Sequence, residues 1–244
     1  MSPEKNAEMR ADILMARKEY SSAIDTYSTI LKTQPKNAVV LNKIGIAYQQ
    51  MGGIDAAENY YKRAAKADKK MSNPLNNLGT IEYGLKHYSK AIGYYKRALV
   101  VAPSGANTYF NLGVAYYADK KYELAMDAFS KAMQIDPEVF ERHGGSGGTE
   151  LQQRSASNPG LLNFYLAKSF AKAGDAARTA RYLKLARDNG YPNMANIAKD
   201  KDFAPVIKDP RVQDVLLNRP SFAGDAPAAE SGNAPKAQPA PATN

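Results

Sequence analysis

The chain has 244 residues, a formal net charge of +9 at pH 7, and neither cysteine nor tryptophan. Lack of cysteine excludes disulfides, thiol catalysis and cysteine metal sites, and suits either side of a bacterial membrane. Its two histidines, His87 and His143, are too few and too separate for a metal site or a base–nucleophile pair, so the sequence reads as a non-enzyme that needs no cofactor.

From Glu4 the chain repeats every 34 residues, in blocks 4–37, 38–71, 72–105 and 106–139. One slot holds Ala11, Gly45, Gly79 and Gly113; twelve residues on stand Ala23, Ala57, Ala91 and Ala125; four further come Tyr27, Tyr61, Tyr95 and Phe129. Pro35, Pro103 and Pro137 close three of the blocks. Each block carries two stretches of helical spacing, such as Leu75, Leu78 and Ile81, then Ala91, Tyr94, Tyr95, Ala98 and Leu99, joined by a short polar turn at Gly84–His87. A period of this length predicts stacked helix pairs. The small slots let paired helices approach, and the aromatic is expected to fill the space between one pair and the next.

The pattern resembles the tetratricopeptide repeat (TPR) family, through Ile44-Gly45 with Tyr48, Leu78-Gly79, and Leu112-Gly113 with Tyr116, together with the alanine, aromatic and proline slots. Departures are Ala11 and Leu14 in the first block, Glu82 at the tyrosine slot of the third, and Lys69 for proline in the second. The resemblance implies an all-α, right-handed α-solenoid of helix-turn-helix repeats whose first helices line a concave groove.

After Pro137 the rhythm stops. Residues 140–159 are Gly/Ser-rich around Gly144–Gly148, without the strand or the Lys-Ser/Thr of a phosphate loop, and are expected to form a flexible lid or bridge across the groove. Helical spacing resumes at Leu161, Leu162, Tyr165, Leu166 and Phe170, then at Ala176, Ala180, Leu183, Leu185 and Ala186, which resembles a degenerate fifth TPR over 160–190. Residues 191–220 resemble the tail that follows the last repeat in bacterial TPR proteins. Asp202 and Asp209 are expected to cap short helices there, with Phe203, Val206, Ile207, Val212, Val215 and Leu216 covering the open end of the stack. The Ala/Pro-rich stretch 221–244 buries too little to order and is expected to be disordered.

No apolar run long enough to span a membrane is present, and Met1–Lys5 does not open a signal peptide. The cytoplasm, or the periplasm if an export signal was removed, stays open. Basic pairs such as Lys62-Arg63 and Lys96-Arg97 sit on the second helices without a nucleic-acid signature; an acidic protein partner or an anionic surface matches the charge equally well.

Carried onto this sequence, the resemblance places Asn42, Lys43 and Ile46, then Asn73, Asn76, Asn77, Thr80 and Tyr83, then Asn107, Phe110, Asn111, Val114 and Tyr117 in the groove. An amide donates and accepts at once, so a series of asparagines can hold an extended peptide backbone without reading its sequence. The same amides can instead merely bond to neighbouring backbone. TPRs that grip a terminal carboxylate resemble a clamp of Lys, Asn, Asn, Lys and Arg; here Ile46 and Asn111 stand for Asn and Arg, and Asn107 for Lys, so that use is not expected. The reading is a protein-interaction scaffold binding a peptide or protein segment in the groove. The alternatives are an assembly component working through its convex face or stack ends, homo-oligomers included, and nucleic-acid binding.

Overall fold

The computed structural model describes residues 2–140 and 158–217. The glycine loop apart from its ends, His143 and the 221–244 stretch lie outside those residues. Every regular element described is helical: α1 (Pro3–Ala16), α2 (Tyr20–Thr33), α3 (Ala38–Gln50), α4 (Ile54–Ala67), α5 (Asn73–Gly84), α6 (Tyr88–Val101), α7 (Ala106–Ala118) and α8 (Tyr122–Ile135), then α9 (Pro159–Lys172), α10 (Ala176–Asp188), two 3-10 turns at Met194–Lys199 and Lys201–Phe203, and α11 (Pro210–Leu216). Each helix packs against the next in sequence through α8, and α9 takes up the stack by packing on both α8 and α10.

The period sets where each pair closes. A Cβ on Gly45 would lie 2.6 Å from the Tyr61 ring, one on Gly79 2.5 Å from Tyr95, and one on Gly113 2.5 Å from Phe129. The aromatic slot therefore presses on the glycine of its own pair, where only hydrogen leaves room. Its other side reaches forward, since Tyr61 clusters with Leu78 and Ile81, and Tyr27 with Val40 and Ile44. Where the aromatic carries a hydroxyl, the fold supplies a partner: Tyr27 donates to Asp12, Tyr61 to Gln49 at 2.7 Å, and Tyr95 to Thr80 at 3.4 Å. Phe129 has no hydroxyl, and Val114 occupies the slot that Asp12 and Thr80 fill in their repeats. Burial pushes the Tyr27 and Tyr61 hydroxyls up in pKa, the Asp12 hydrogen bond adding to the effect at Tyr27.

The inter-helix turns share a left-handed residue at a fixed slot. Lys18, Lys86 and Lys120 have φ of 62°, 62° and 60°, and Gly52 takes the same position at 80°. Glu82, the third block's departure from tyrosine, is buried and lies 2.8 Å from the Nδ1 of His87, so the turn histidine satisfies the odd carboxylate.

The fifth pair, α9 and α10, turns at Gly174 (φ 77°) and is bridged to the fourth by Phe140, whose ring meets Phe110 at 4.9 Å and Phe170 at 5.2 Å. Leu161 and Tyr165 are half-buried on that pair, and Leu185, on its second helix, is exposed. In the terminal segment Phe203, Val206 and Val212 are buried, with Ile207, Val215 and Leu216 packed against them. Asp209 caps α11 by accepting from the Arg211 amide at 3.0 Å. Asp202 is not a cap: Asp200 accepts from the Asp202 amide, and both carboxylates turn to Lys168 at 2.9 and 3.0 Å, tying the segment to α9.

Candidate functional site

The first helices of successive pairs are joined side by side. Lys43 on α3 donates to Glu8 on α1 at 2.7 Å, Asn77 on α5 to Asn42 on α3 at 3.1 Å, and Asn111 on α7 to Asn76 on α5 at 3.1 Å. Each contact spans 35 residues, one period plus one, so a slot on one helix always accepts from the following slot on the next. Side-chain bonds thus join the first helices α1, α3, α5 and α7 in one row.

This ladder decides which expected groove residues are accessible. Asn42, Tyr83, Phe110, Asn111 and Tyr117 are buried, as are Thr80 and Val114. Asn42 and Asn111 are occupied by the ladder, Phe110 lies against Phe129 and Phe140, Tyr83 packs on Tyr88, and Tyr117 donates to the carbonyl of Asn158 at 2.8 Å. The expectation that these side chains stand free in the groove is corrected to that extent: the fold uses them itself. Lys43, Ile46, Asn76 and Asn77 are half-buried, and Asn73 and Asn107 are exposed. Asn73 and Asn107 hold the same slot one period apart, with Lys5 and Val39 in that slot on α1 and α3.

Charge is concentrated at the α1 end. Lys43 also reaches Asp12 at 2.8 Å, and its ammonium lies 5.8 Å over the Tyr27 ring. Burial alone would lower the Lys43 pKa, but the hydrogen bonds it donates to Asp12 and Glu8 outweigh it and hold the ammonium charged above its ordinary 10.5. Toward α9 the packing becomes aromatic: Tyr122 stacks on Tyr165 at 4.8 Å, and Tyr117 meets both rings. Burial raises the Tyr117 hydroxyl, with Tyr122, Tyr165 and Tyr83 adding to it. Among the described residues no cluster of His, Cys, Asp and Glu could hold a metal ion, and no helix is long and apolar enough to cross a membrane.

Sequence reasoning missed Glu8 and Asp12. Their signal was present as polar pairs one period plus one apart, Glu8 with Lys43 and Asn42 with Asn77.

Comparison with known proteins agrees with this fold. The family model described as tetratricopeptide repeat matches residues 106–139, and the TT21 fifth ARM repeats domain matches residues 4–102. No curated protein matches the sequence. Similar solved structures include PilF of Pseudomonas aeruginosa (17% identity, 88% of this chain and 87% of that chain, TM-score 0.57). MamA from Desulfovibrio magneticus RS-1 is similar at 18% identity, over 78% of this chain and 96% of that chain, with TM-score 0.53. YrrB, described as a TPR protein with an unusual peptide-binding site, follows at 16% identity, 77% and 87% coverage and TM-score 0.50. Identities this low speak for the fold alone. By that fold, and by the family match of its fourth block, the chain is an all-α solenoid of tetratricopeptide-type helix pairs.

Proposed function

We propose that the chain is a protein-interaction scaffold that holds an extended peptide along the inner face of α1, α3, α5 and α7. The observation that carries this reading is the exposed amide pair Asn73 and Asn107, one period apart, beside the half-buried Asn76 and Asn77. The ladder uses one N–H of Asn77 and the carbonyl of Asn76, which leaves a second N–H on Asn77 and the amide nitrogen of Asn76 without a partner among the described residues. Together these groups can donate to and accept from a backbone repeatedly. The YrrB likeness supports a peptide site on this architecture. Lys43 is held by Glu8 and Asp12, so the terminal-carboxylate clamp stays outside the reading.

The test is selection of peptides from a displayed library on the full chain, then binding to Asn73→Arg/Asn107→Arg. Selected peptides lose affinity in the double variant if they lie in the groove; unchanged affinity sinks the reading. Substituting Asn77 and Asn111 would be a poorer test, because it breaks the ladder and mixes stacking with recognition.

The alternative, assembly through an end of the stack, draws on Met9 and Ile13 of α1, which are 50% and 46% exposed. Light scattering of wild type and Met9→Glu/Ile13→Glu separates it: a concentration-dependent dimer lost in the variant supports it, and a monomer throughout removes it.

A further inference from the structure

The outer face of the stack carries cations that the fold does not neutralise. On α4 and α6, the second helices of successive pairs, Arg63 lies 4.8 Å over the Tyr60 ring and Arg97 5.3 Å over Tyr94, each guanidinium on the tyrosine three residues before it and the two one period apart. Among the described residues neither arginine has a carboxylate partner, and the same holds for exposed Lys66, Lys90 and Lys96. Residues 88–101 contain no Asp or Glu at all. The neighbouring outer helices are less basic: α2 carries Asp25 and Lys32, and α8 carries Glu123 and Asp127 against Lys131, whereas on α4 Asp55 and Glu58 stand against Lys62, Arg63 and Lys66, with Glu58 taken by Lys62 at 2.7 Å. At the end of this face Val100 is 82% exposed.

From this geometry we infer that the outer face of α4 and α6 docks a protein segment rich in Asp and Glu that carries an apolar residue for Val100. A guanidinium held flat on a ring keeps its hydrogen-bond fork outward, so it meets a carboxylate with less ordering left to do. The repeated Arg–Tyr arrangement suits carboxylates spaced along one chain. Single-stranded nucleic acid fits less well, because the rings on which bases would stack are covered by the arginines. An anionic membrane fits less well too, since this face offers one prominent apolar residue and no outward aromatic to insert. The inference is independent of the inner groove, which lies on the other row of helices.

The experiment is fluorescence anisotropy of a labelled peptide of repeating Glu-Glu-Leu-Gly with the full chain. Arg63→Glu/Arg97→Glu is compared with Lys32→Glu/Lys36→Glu, which changes net charge equally on exposed sites elsewhere, and Arg63→Gln/Arg97→Gln serves if reversal disturbs helix content. The expected result is a loss of about tenfold or more for either arginine pair, the scale of two charge-assisted contacts, with the lysine pair within about twofold. Equal losses in both pairs, or no binding by wild type, overturn the proposal. Tighter binding of phosphatidylserine vesicles or of a single-stranded oligonucleotide, abolished by the same arginine variant, overturns the assignment to a protein segment.

Discussion

Asn111 on α7 donates its amide to Asn76 on α5 at 3.1 Å, repeating one period later the bond from Asn77 to Asn42. The relation couples stacking to side-chain chemistry, because each bond closes only when neighbouring first helices sit in register. Asn42 is 5% exposed and Asn111 2% exposed, so neither finds water as an alternative partner. Asn77→Ala removes one bond and leaves the Asn42 carbonyl unsatisfied, at a cost of about 1–3 kcal/mol. Urea unfolding followed by circular dichroism checks this, and Asn42→Leu/Asn77→Leu should recover much of the loss by removing both partners. No destabilisation in the single variant would mean that the ladder contributes nothing to stacking.

The glycine slot yields a second expectation. A methyl on Gly113 would lie 2.5 Å from Phe129, a ring that is fully buried. Gly113→Ala therefore forces the ring or the helix to shift and should cost about 1–3 kcal/mol, as overpacking does. Gly93, where an added Cβ meets nothing within 4 Å, is the internal control. Gly93→Ala should stabilise by about 0.5–1 kcal/mol through helix propensity alone. Equal effects at the two positions in thermal melts would contradict the packing argument.

These contrasts show what the sequence made legible. The 34-residue period located the helix pairs, but the aromatic slot was expected between one pair and the next, whereas Tyr61 presses on Gly45 of its own pair as well. The amides were legible as a periodic series, yet their partners were not. Asn111 at a ligand-facing slot and Asn111 bonded to Asn76 predict the same residue type, and only the offset of 35 between helices separates them. Asp202 was misplaced for a related reason: capping chemistry fixes a role only once the neighbouring element is known. Asp202 caps nothing because Lys168 lies close enough to take its carboxylate.

Three turn lysines, Lys18, Lys86 and Lys120, have left-handed backbone and exposed side chains. A Cβ in that conformation crowds the following carbonyl at a cost of about 1–2 kcal/mol, which glycine escapes, although glycine loses more chain entropy on folding. Lys86→Gly and Lys120→Gly should each raise stability by about 0.5–1 kcal/mol, the net of those two effects. Gly52→Lys should lower it, since Gly52 fills the same slot at φ 80°. Thermal melts of the single and combined variants test the sign; a lower melting temperature for the glycine variants would show that side-chain contacts outweigh backbone strain.

The α1 end should fail first in alkali. Lys43 keeps its proton above its ordinary 10.5, because hydrogen bonds to Asp12 and Glu8 outweigh the opposing effect of burial, and Tyr27 keeps its proton above 10.0 chiefly through burial. Both folded-state values are raised, so both contributions are fully present below the unfolded values and are lost as pH rises through the folded ones. Stability should therefore fall above about pH 10, where unfolded chains release these protons more readily than the folded repeat does. Asp12→Asn removes the carboxylate that serves both groups and should weaken the repeat at neutral pH while flattening the alkaline slope. Hydrogen exchange resolved by helix measures this directly. Earlier opening of α1 and α2 than of α5 and α6 on going from neutral pH to alkali is the expected order, and loss of that order in Asp12→Asn would tie it to this carboxylate; opening that begins at α5 and α6 would refute it.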